Sequence, residues 1–283
     1  MLNGIKMEIK VKIILHTKHA VTGKELITYE ATYPRIILAE VNTHRVFSRS
    51  SSSSRAIPGK RLAASNFFYP DFWYKNGAGM QPKFELDGLK NKAAGLVYKA
   101  AYYSAKFFHY LLTKLDVHKQ QCNRLLEPFI YTNSVITSSE WDNFFRLRCS
   151  QAAQYEIRML AEAMREAKEN SVPKILKIGE YHIPYIMESE SHLDIETKLT
   201  LSAARCARVS YKTMFGSVSS IKDDIILTSK LKAEQHMSPF EHQAKIVTPD
   251  SKAFLGLNGN FSSGFYQYRK ALEKSLNFHD GTR

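Results

Sequence analysis

Thr43-His44-Arg45-Val46-Phe47-Ser48-Arg49-Ser50-Ser51-Ser52-Ser53-Ser54-Arg55 is the stretch on which the reading turns. Serine-rich segments are ordinarily flexible linkers. Here three arginines and a histidine punctuate the serines, and an apolar run leads in. Short hydroxyl side chains let a backbone approach a ligand closely. Their O–H groups and guanidinium forks suit phosphate oxygens. Residues 41–70 carry five basic residues (Arg45, Arg49, Arg55, Lys60, Arg61) and no acid. A flexible basic loop that binds RNA, or nothing, explains the same composition.

Outward from this stretch, residues 5–15 alternate apolar and mostly basic side chains and predict a strand. A second strand is expected at 34–42, with Pro34 at its entry. Val97, Ala101, Phe108, Leu112 and Leu115 recur near a 3.6 period and predict a helix over 89–120. Cys149, Ala153, Ile157, Leu160 and Met164 predict one buried stripe on a helix over 139–169, with Cys149 in the core. Residues 173–186, with two prolines and a glycine, read as a connection. Helices follow at 196–208 and 221–235, the latter capped by Ser220 and Asp223. A short helix is expected around QYRKALEKSL in the tail.

Arg124 and Arg148 each lie in an apolar context, Arg148 beside the predicted stripe. Such an arginine snorkels, forms a structural salt bridge or meets an anionic ligand. In QHMSPFEH, residues 235–242, Ser238, Pro239 and Glu241 predict a capping box, with His236 and His242 flanking it. The H-x₄-E-H spacing does not match H-E-x-x-H, so no metal site is expected. The segment 62–95 is rich in Phe, Tyr and Trp and is read as core packing.

With 283 residues, 44% of them hydrophobic, the chain is long enough for a substantial core, which excludes disorder and a disulfide miniprotein. The three cysteines show no CxxC pair, which favours a cytoplasmic location. The first ten residues do not read as a signal peptide, and no apolar run is long enough to span a membrane. A formal charge of +13 favours anionic partners. A non-catalytic nucleic-acid-binding protein fits that charge. The basic residues are spread along the chain, however, and no helix-turn-helix or RNP motif is present, which makes nucleic acid a poor expectation.

Taken together, three stretches resemble the flavin-dependent thymidylate synthase family. Its R-H-R-x-x-S-x-N-E-x-S-x-R-Y motif is met here at His44, Arg45, Ser48, Ser53 and Arg55. NRLLEP…NFFRLRCSQAAQYEIR resembles its second block, and RCARVSY…HMSPFEH its remaining block. The last normally precedes the R-H-R motif, so the motif order is permuted. Thr43, Ser50, Ser51 and Ala56 depart from the motif, and Thr137-Ser138-Ser139 stands where the family often has N-A-R.

The resemblance implies an α+β fold, a central antiparallel sheet with long helices. Residues 1–172 would hold the sheet, the motif loop and the long helices. Residues 173–283 would complete the same catalytic unit. It implies a homotetramer that binds FAD and a pyrimidine deoxynucleotide monophosphate, with NADPH and methylenetetrahydrofolate as cosubstrates. His44, Arg45, Asn143, Ser210, His236 and Ser238 would contact FAD. Glu40, Ser53, Arg55, Arg124 and Arg148 would hold the nucleotide, and Arg148 would stabilise charge on the pyrimidine ring. Conversion of dUMP to dTMP is the expected reaction, with hydroxymethylation of dUMP or modification of dCMP as the sister chemistries.

Overall fold

The computed structural model describes residues 7–209 and 219–275. Strands β1 (Lys10–His19) and β2 (Glu25–Pro34) form a hairpin. A 3-10 turn (Arg35–Ile37) and the short helix α1 (Leu38–Asn42) lead to β3 (Ser48–Ser51). Helices α2 (Gly59–Ala63), α3 (Gly88–Lys114) and α4 (Lys119–Cys122) follow, then a 3-10 segment (Asn123–Phe129) and β4 (Tyr131–Ser138). Helices α5 (Asp142–Arg148) and α6 (Tyr155–Glu169) precede β5 (Lys174–Leu176) and β6 (Tyr181–His182). The remainder is α7 (Ile195–Ala207), α8 (Ile221–Ala233), a 3-10 turn (Ser238–Glu241), β7 (Ala244–Ile246), β8 (Phe265–Gln267) and α9 (Tyr268–Ser275).

The main sheet has the order β3-β4-β2-β1-β5, antiparallel except where β5 runs parallel to β1. A smaller antiparallel sheet has the order β6-β7-β8. This is the expected α+β arrangement, a central sheet with long helices. The period of two in β2 sends Ile27, Tyr29, Ala31 and Tyr33 to one face. There they pack with Ile136 of β4 and with Ile157, Leu160 and Met164 of α6 as the principal core. Thr28 and Thr137 point to the other face, which the C-terminal segment from β6 to β8 covers.

Several expectations are corrected. Residues 34–42 are not a strand: Pro34 ends β2 opposite Tyr131, and the chain then turns into α1. Ile37 and Val41, four apart, enter the core from one helical face, which outweighs the strand preference of the β-branched residues. The strand expected at 5–15 runs over Lys10–His19 instead, and β2 and β4 were missed. The helix expected over 139–169 is broken between Arg148 and Tyr155. Cys149 sits at that break, half-buried against the core.

The expected capping box at Ser238 does not form, because Ser238 is the first residue of the 3-10 turn and Glu241 pairs with Arg269. By contrast Ser220 caps α8 as expected, accepting from the Asp223 N–H at 3.1 Å. The α3 stripe is the largest departure. Val97, Phe108 and Leu115 are exposed, and the helix is seated on the opposite face by Gly95, Tyr102 and His109. Of the aromatic segment before α3, Phe68 is buried and Phe67 stacks on Tyr102 at 4.1 Å between centroids, as expected of core packing, whereas Phe72 and Tyr74 are exposed. Among the described residues no helix is long and apolar enough to cross a membrane.

Candidate functional site

The chain leaves α1 through Thr43 and enters β3 at Ser48. Arg49 holds the turn between them. Its Nη1 donates to the carbonyls of Asn42 at 2.9 Å and His44 at 3.0 Å, with Val41 at 3.4 Å. Those oxygens lie at the end of a helix, where carbonyls lack intrahelical donors, so a guanidinium caps them. His44 is thereby packed against Phe47, stacked at 5.5 Å, and against the edge of Phe144 at 4.9 Å.

Arg148, the last residue of α5, reaches the same turn. Its Nε donates to His44 Nε2 at 3.0 Å, and its Nη2 to Thr43 Oγ1 at 3.4 Å. Burial, followed by the charges of Arg148 and Arg49, pushes His44 down to about 4. The imidazole is therefore neutral, with its hydrogen on Nδ1, and serves as an acceptor for Arg148. Thr43, a departure from the R-H-R motif, removes a like charge from beside this guanidinium and supplies a second acceptor. One carboxylate oxygen of Glu40, Oε2, is buried with no hydrogen-bond partner among the described residues. Arg45 and Asn143 are exposed, and Asn143 accepts from Arg146 at 2.8 Å.

A second group lies past the far end of β3. Glu127 accepts from Ser54 Oγ at 2.5 Å and pairs with Arg35 at 3.1 Å and the exposed Arg124 at 3.8 Å. Asn123 fixes the loop by donating to the carbonyls of Ser54 at 2.7 Å and Ile57 at 2.9 Å. Arg55 is exposed beside it, and Ser53 is half-buried. A cleft of about 450 Å³ runs from Arg35 and Glu127 to Asn42, so it joins this group to the end of α1. A larger cleft, about 700 Å³, opens on the polar face of the sheet by Lys12, Glu30 and Asn133 and holds none of the motif arginines. Neither cleft is lined by Arg45, Arg55, Arg124 or Arg148; the smaller one is the better candidate because it is lined by Glu127, which pairs with Arg35 and Arg124 and accepts from Ser54. Arg35, passed over in the sequence, is its central cation.

The structure thus unites His44 with Arg148, and Arg124 with the Ser53–Arg55 loop, at opposite ends of one strand. The C-terminal block meets β3 through its last residue, His242. Ser210 lies outside the described residues. His236 and Ser238 are exposed, and His236 Nε2 approaches Glu234 at 3.3 Å. Arg205 is fully buried and structural, bonded to Glu190 at 2.5 Å and to Asp224 at 2.9 Å. Ser50 and Ser51 are engaged internally, by His242 at 3.0 Å and Ser134 at 2.7 Å. Among the described residues no cluster of three His, Cys, Asp or Glu could hold a metal.

Beneath β3 runs a buried chain of hydrogen bonds. Thr17 Oγ1 donates to the Leu26 carbonyl at 3.3 Å, which fixes the direction of the rest. Thr17 then accepts from His182 Nδ1 at 2.7 Å, and His182 Nε2 accepts from Thr28 at 2.9 Å. Thr28 accepts from Thr137 at 2.8 Å, Thr137 from His242 Nδ1 at 2.9 Å, and His242 Nε2 from Ser50. Burial lowers both histidines to about 3.

The sequence matches the family described as thymidylate synthase complementing protein over residues 10–174, a span that contains both arginine groups. No curated protein matches. Among solved structures, the UMP/dUMP methylase PolB from Streptomyces cacaoi bound with 5-Br UMP aligns with a TM-score of 0.50 at 16% identity, over 58% of this chain and 89% of that one. The same methylase bound with 5-Br dUMP gives a TM-score of 0.48 at 15% identity, over 58% and 91%. At such identities the likeness is one of fold.

Proposed function

The chain belongs to the thymidylate synthase complementing protein family, and from that premise we propose that it transfers a one-carbon unit from methylenetetrahydrofolate to C5 of a pyrimidine deoxynucleotide, dUMP to dTMP. The observation that carries the reading is the hydrogen bond between His44 and Arg148, 104 residues apart in sequence. It brings the two motif blocks to one point, with the arginine's geometry fixed by acceptors on one edge.

On this reading Arg148 is the catalytic residue. Its Nε and Nη2 are held by His44 and Thr43, which leaves Nη1 for the pyrimidine edge. A fixed guanidinium there favours negative charge on N3 and its neighbouring carbonyl oxygen, and so makes C5 nucleophilic. Arg55, Arg124 and Ser53 take the phosphate, with Glu40 as an acceptor for the nucleotide. Of the cysteines, Cys122 and Cys206 are buried, and burial raises the Cys149 thiol, so attack by a thiolate has no support.

The donor set at the α1 end fits FAD: an exposed guanidinium at Arg45, an exposed amide at Asn143 and a packed imidazole at His44. Ser210, His236 and Ser238 would complete it. Bound flavin would relay reducing equivalents from NADPH to the transferred carbon. The chain's own groups bind and orient. We assign residues 1–172 and 173–283 to one catalytic unit in a cytoplasmic homotetramer. Because motif residues lie at both ends of β3, complete sites would combine groups from neighbouring protomers. Internal engagement of Ser50 and Ser51 leaves hydroxymethylation of dUMP or modification of dCMP as the alternative.

Purified protein incubated with dUMP or dCMP, methylenetetrahydrofolate and NADPH tests this by product mass, alongside the flavin absorbance of the protein. A mass gain of one methyl on dUMP by a yellow protein is expected. A colourless protein that leaves both nucleotides unchanged overturns the reading.

A further inference from the structure

Arg49 occupies a position that the R-H-R-x-x-S-x-N-E motif leaves open to any residue, between Ser48 and Ser50. Its guanidinium is nevertheless committed. One nitrogen, Nη1, serves the carbonyls of Val41, Asn42 and His44, all on the far side of the turn from its own backbone. Burial disfavours the charge there, and the carboxylate of Glu241 favours it. A guanidinium placed at such a cost holds something.

The strand that carries it is fixed on its other face. Successive side chains of a strand point to opposite faces, so Ser48 and Ser50 turn away from Arg49. Ser48 Oγ accepts from Gln267 Nε2 at 3.1 Å, and Ser50 Oγ donates to His242 Nε2 at 3.0 Å. Gln267 Nε2 also donates to the Glu241 carbonyl at 3.1 Å, which ties β8 to the 3-10 turn ahead of β7. The backbone of β3 pairs with β4, Arg49 opposite Ile136.

The turn from α1 to β3 closes on itself with short-range bonds. The Thr43 N–H donates to the Glu40 carbonyl at 3.1 Å, that of His44 to Val41 at 3.3 Å, and that of Phe47 to His44 at 3.1 Å. From outside, Ser138 Oγ donates to the Val46 carbonyl at 3.0 Å, and Arg49 grips the stretch up to His44. The place of the His44 imidazole therefore depends on Arg49. The direction of the Arg148 guanidinium in turn depends on the imidazole that accepts from its Nε at 3.0 Å.

We propose that Arg49 is a positioning residue, which sets His44 and through it Arg148, and so couples the C-terminal segment under β3 to the reactive end of the site. The assignment deepens the proposed function and rests on it only for turnover. A misplacement of about 1 Å at a catalytic group can cost roughly a hundredfold in rate.

The test uses the full chain with arginine labelled with heavy nitrogen. The Arg148 Nε–H gives a nuclear magnetic resonance signal, identified by its absence from Arg148→Lys, which a fixed acceptor keeps sharp and slow to exchange with water. In unliganded Arg49→Met the signal is expected to exchange roughly tenfold faster, with far-ultraviolet circular dichroism unchanged. With dUMP, methylenetetrahydrofolate and NADPH, kcat should fall roughly 10- to 100-fold while KM for dUMP stays within about threefold, because Arg55 and Arg124 lie at the other end of β3. Should Arg49→Met fail to fold, Arg49→Lys carries the same expectations, since lysine keeps the charge but is shorter by one bond and falls short of the three carbonyls. An Arg148 signal unchanged in a folded Arg49 variant overturns the proposal, whatever the turnover. A lost signal with unchanged kcat, or with KM alone raised, overturns it too. An inactive wild type overturns the proposed reaction, and the signal alone then decides whether Arg49 positions Arg148.

Discussion

Lowering the pH from 8 to 5 tests the buried histidines directly. His182 and His242 are held at about 3, and His44 at about 4, against an ordinary value of 6.5. Each is lowered in the folded state, so the unfolded chain binds protons first. Their stabilisation is intact above pH 6.5 and is lost as pH falls toward 4 and then 3. At pH 5 each histidine costs about 2 kcal/mol relative to pH 8, so the three cost about 6 kcal/mol together. That is comparable with the whole stability of many domains.

The direction of the hydrogen-bond chain supplies the cause. A second proton on His242 or His182 would face a hydroxyl that is already donating. Urea unfolding followed by tryptophan emission at the two pH values measures the loss. His242→Gln, which can still accept from Ser50 and donate to Thr137, should lose about one third of the pH dependence. A wild-type midpoint that stays flat between pH 8 and 5 would refute the reasoning, as would a full slope in the variant.

Arg148→Ala should abolish turnover while flavin absorbance stays with the protein, and Arg148→Lys should not rescue it, because a point charge cannot serve two acceptors and a ring edge. Steady-state kinetics with retained colour checks both. His44→Ala should weaken FAD binding, read by equilibrium dialysis; unchanged affinity removes the flavin assignment. Arg55→Lys should raise the nucleotide dissociation constant in calorimetry by roughly tenfold, the loss of one charge-assisted bond. Arg205→Ala should cost about 3–5 kcal/mol in thermal unfolding, since buried Glu190 and Asp224 would both lose its guanidinium, Asp224 retaining Arg208 at 3.0 Å. A shift below about 1 kcal/mol would mean that this buried ion pair does not hold the fold.

The motif around Ser48 was legible because guanidinium, imidazole and clustered hydroxyls announce their chemistry without a fold. The alternation of Ile27, Tyr29, Ala31 and Tyr33 was equally available and marks β2. β4 was harder to see. Thr132, Ser134 and Thr137 put hydroxyls on both of its faces, and their partners lie on segments distant in sequence, Ser52, Tyr33, Thr28 and His242 among them. The stripe from Cys149 to Met164 suggested one long helix because its spacing runs unbroken through a non-helical turn. Composition alone does not mark that turn, which has neither Pro nor Gly. Arg49 was passed over for a different reason: its partners are main-chain carbonyls, which no side-chain pattern encodes. The face of α3 through Val97, Phe108 and Leu115 was read as core because its apolar residues keep a helical period, whereas the helix is seated through Gly95, Tyr102 and His109, a small residue and two with polar groups that the pattern passes over.

Trp141 lies 4.7 Å from Phe47 between centroids, in the aromatic cluster that seats His44, with its indole N–H donated to the Ser138 carbonyl at 2.9 Å. The chain has only one other indole, Trp73, which sits near Tyr69 and Tyr98 beside α3. The two native chromophores therefore watch different places. An isoalloxazine arriving at the turn should quench the first more strongly than the second, so occupancy can be followed optically without any label.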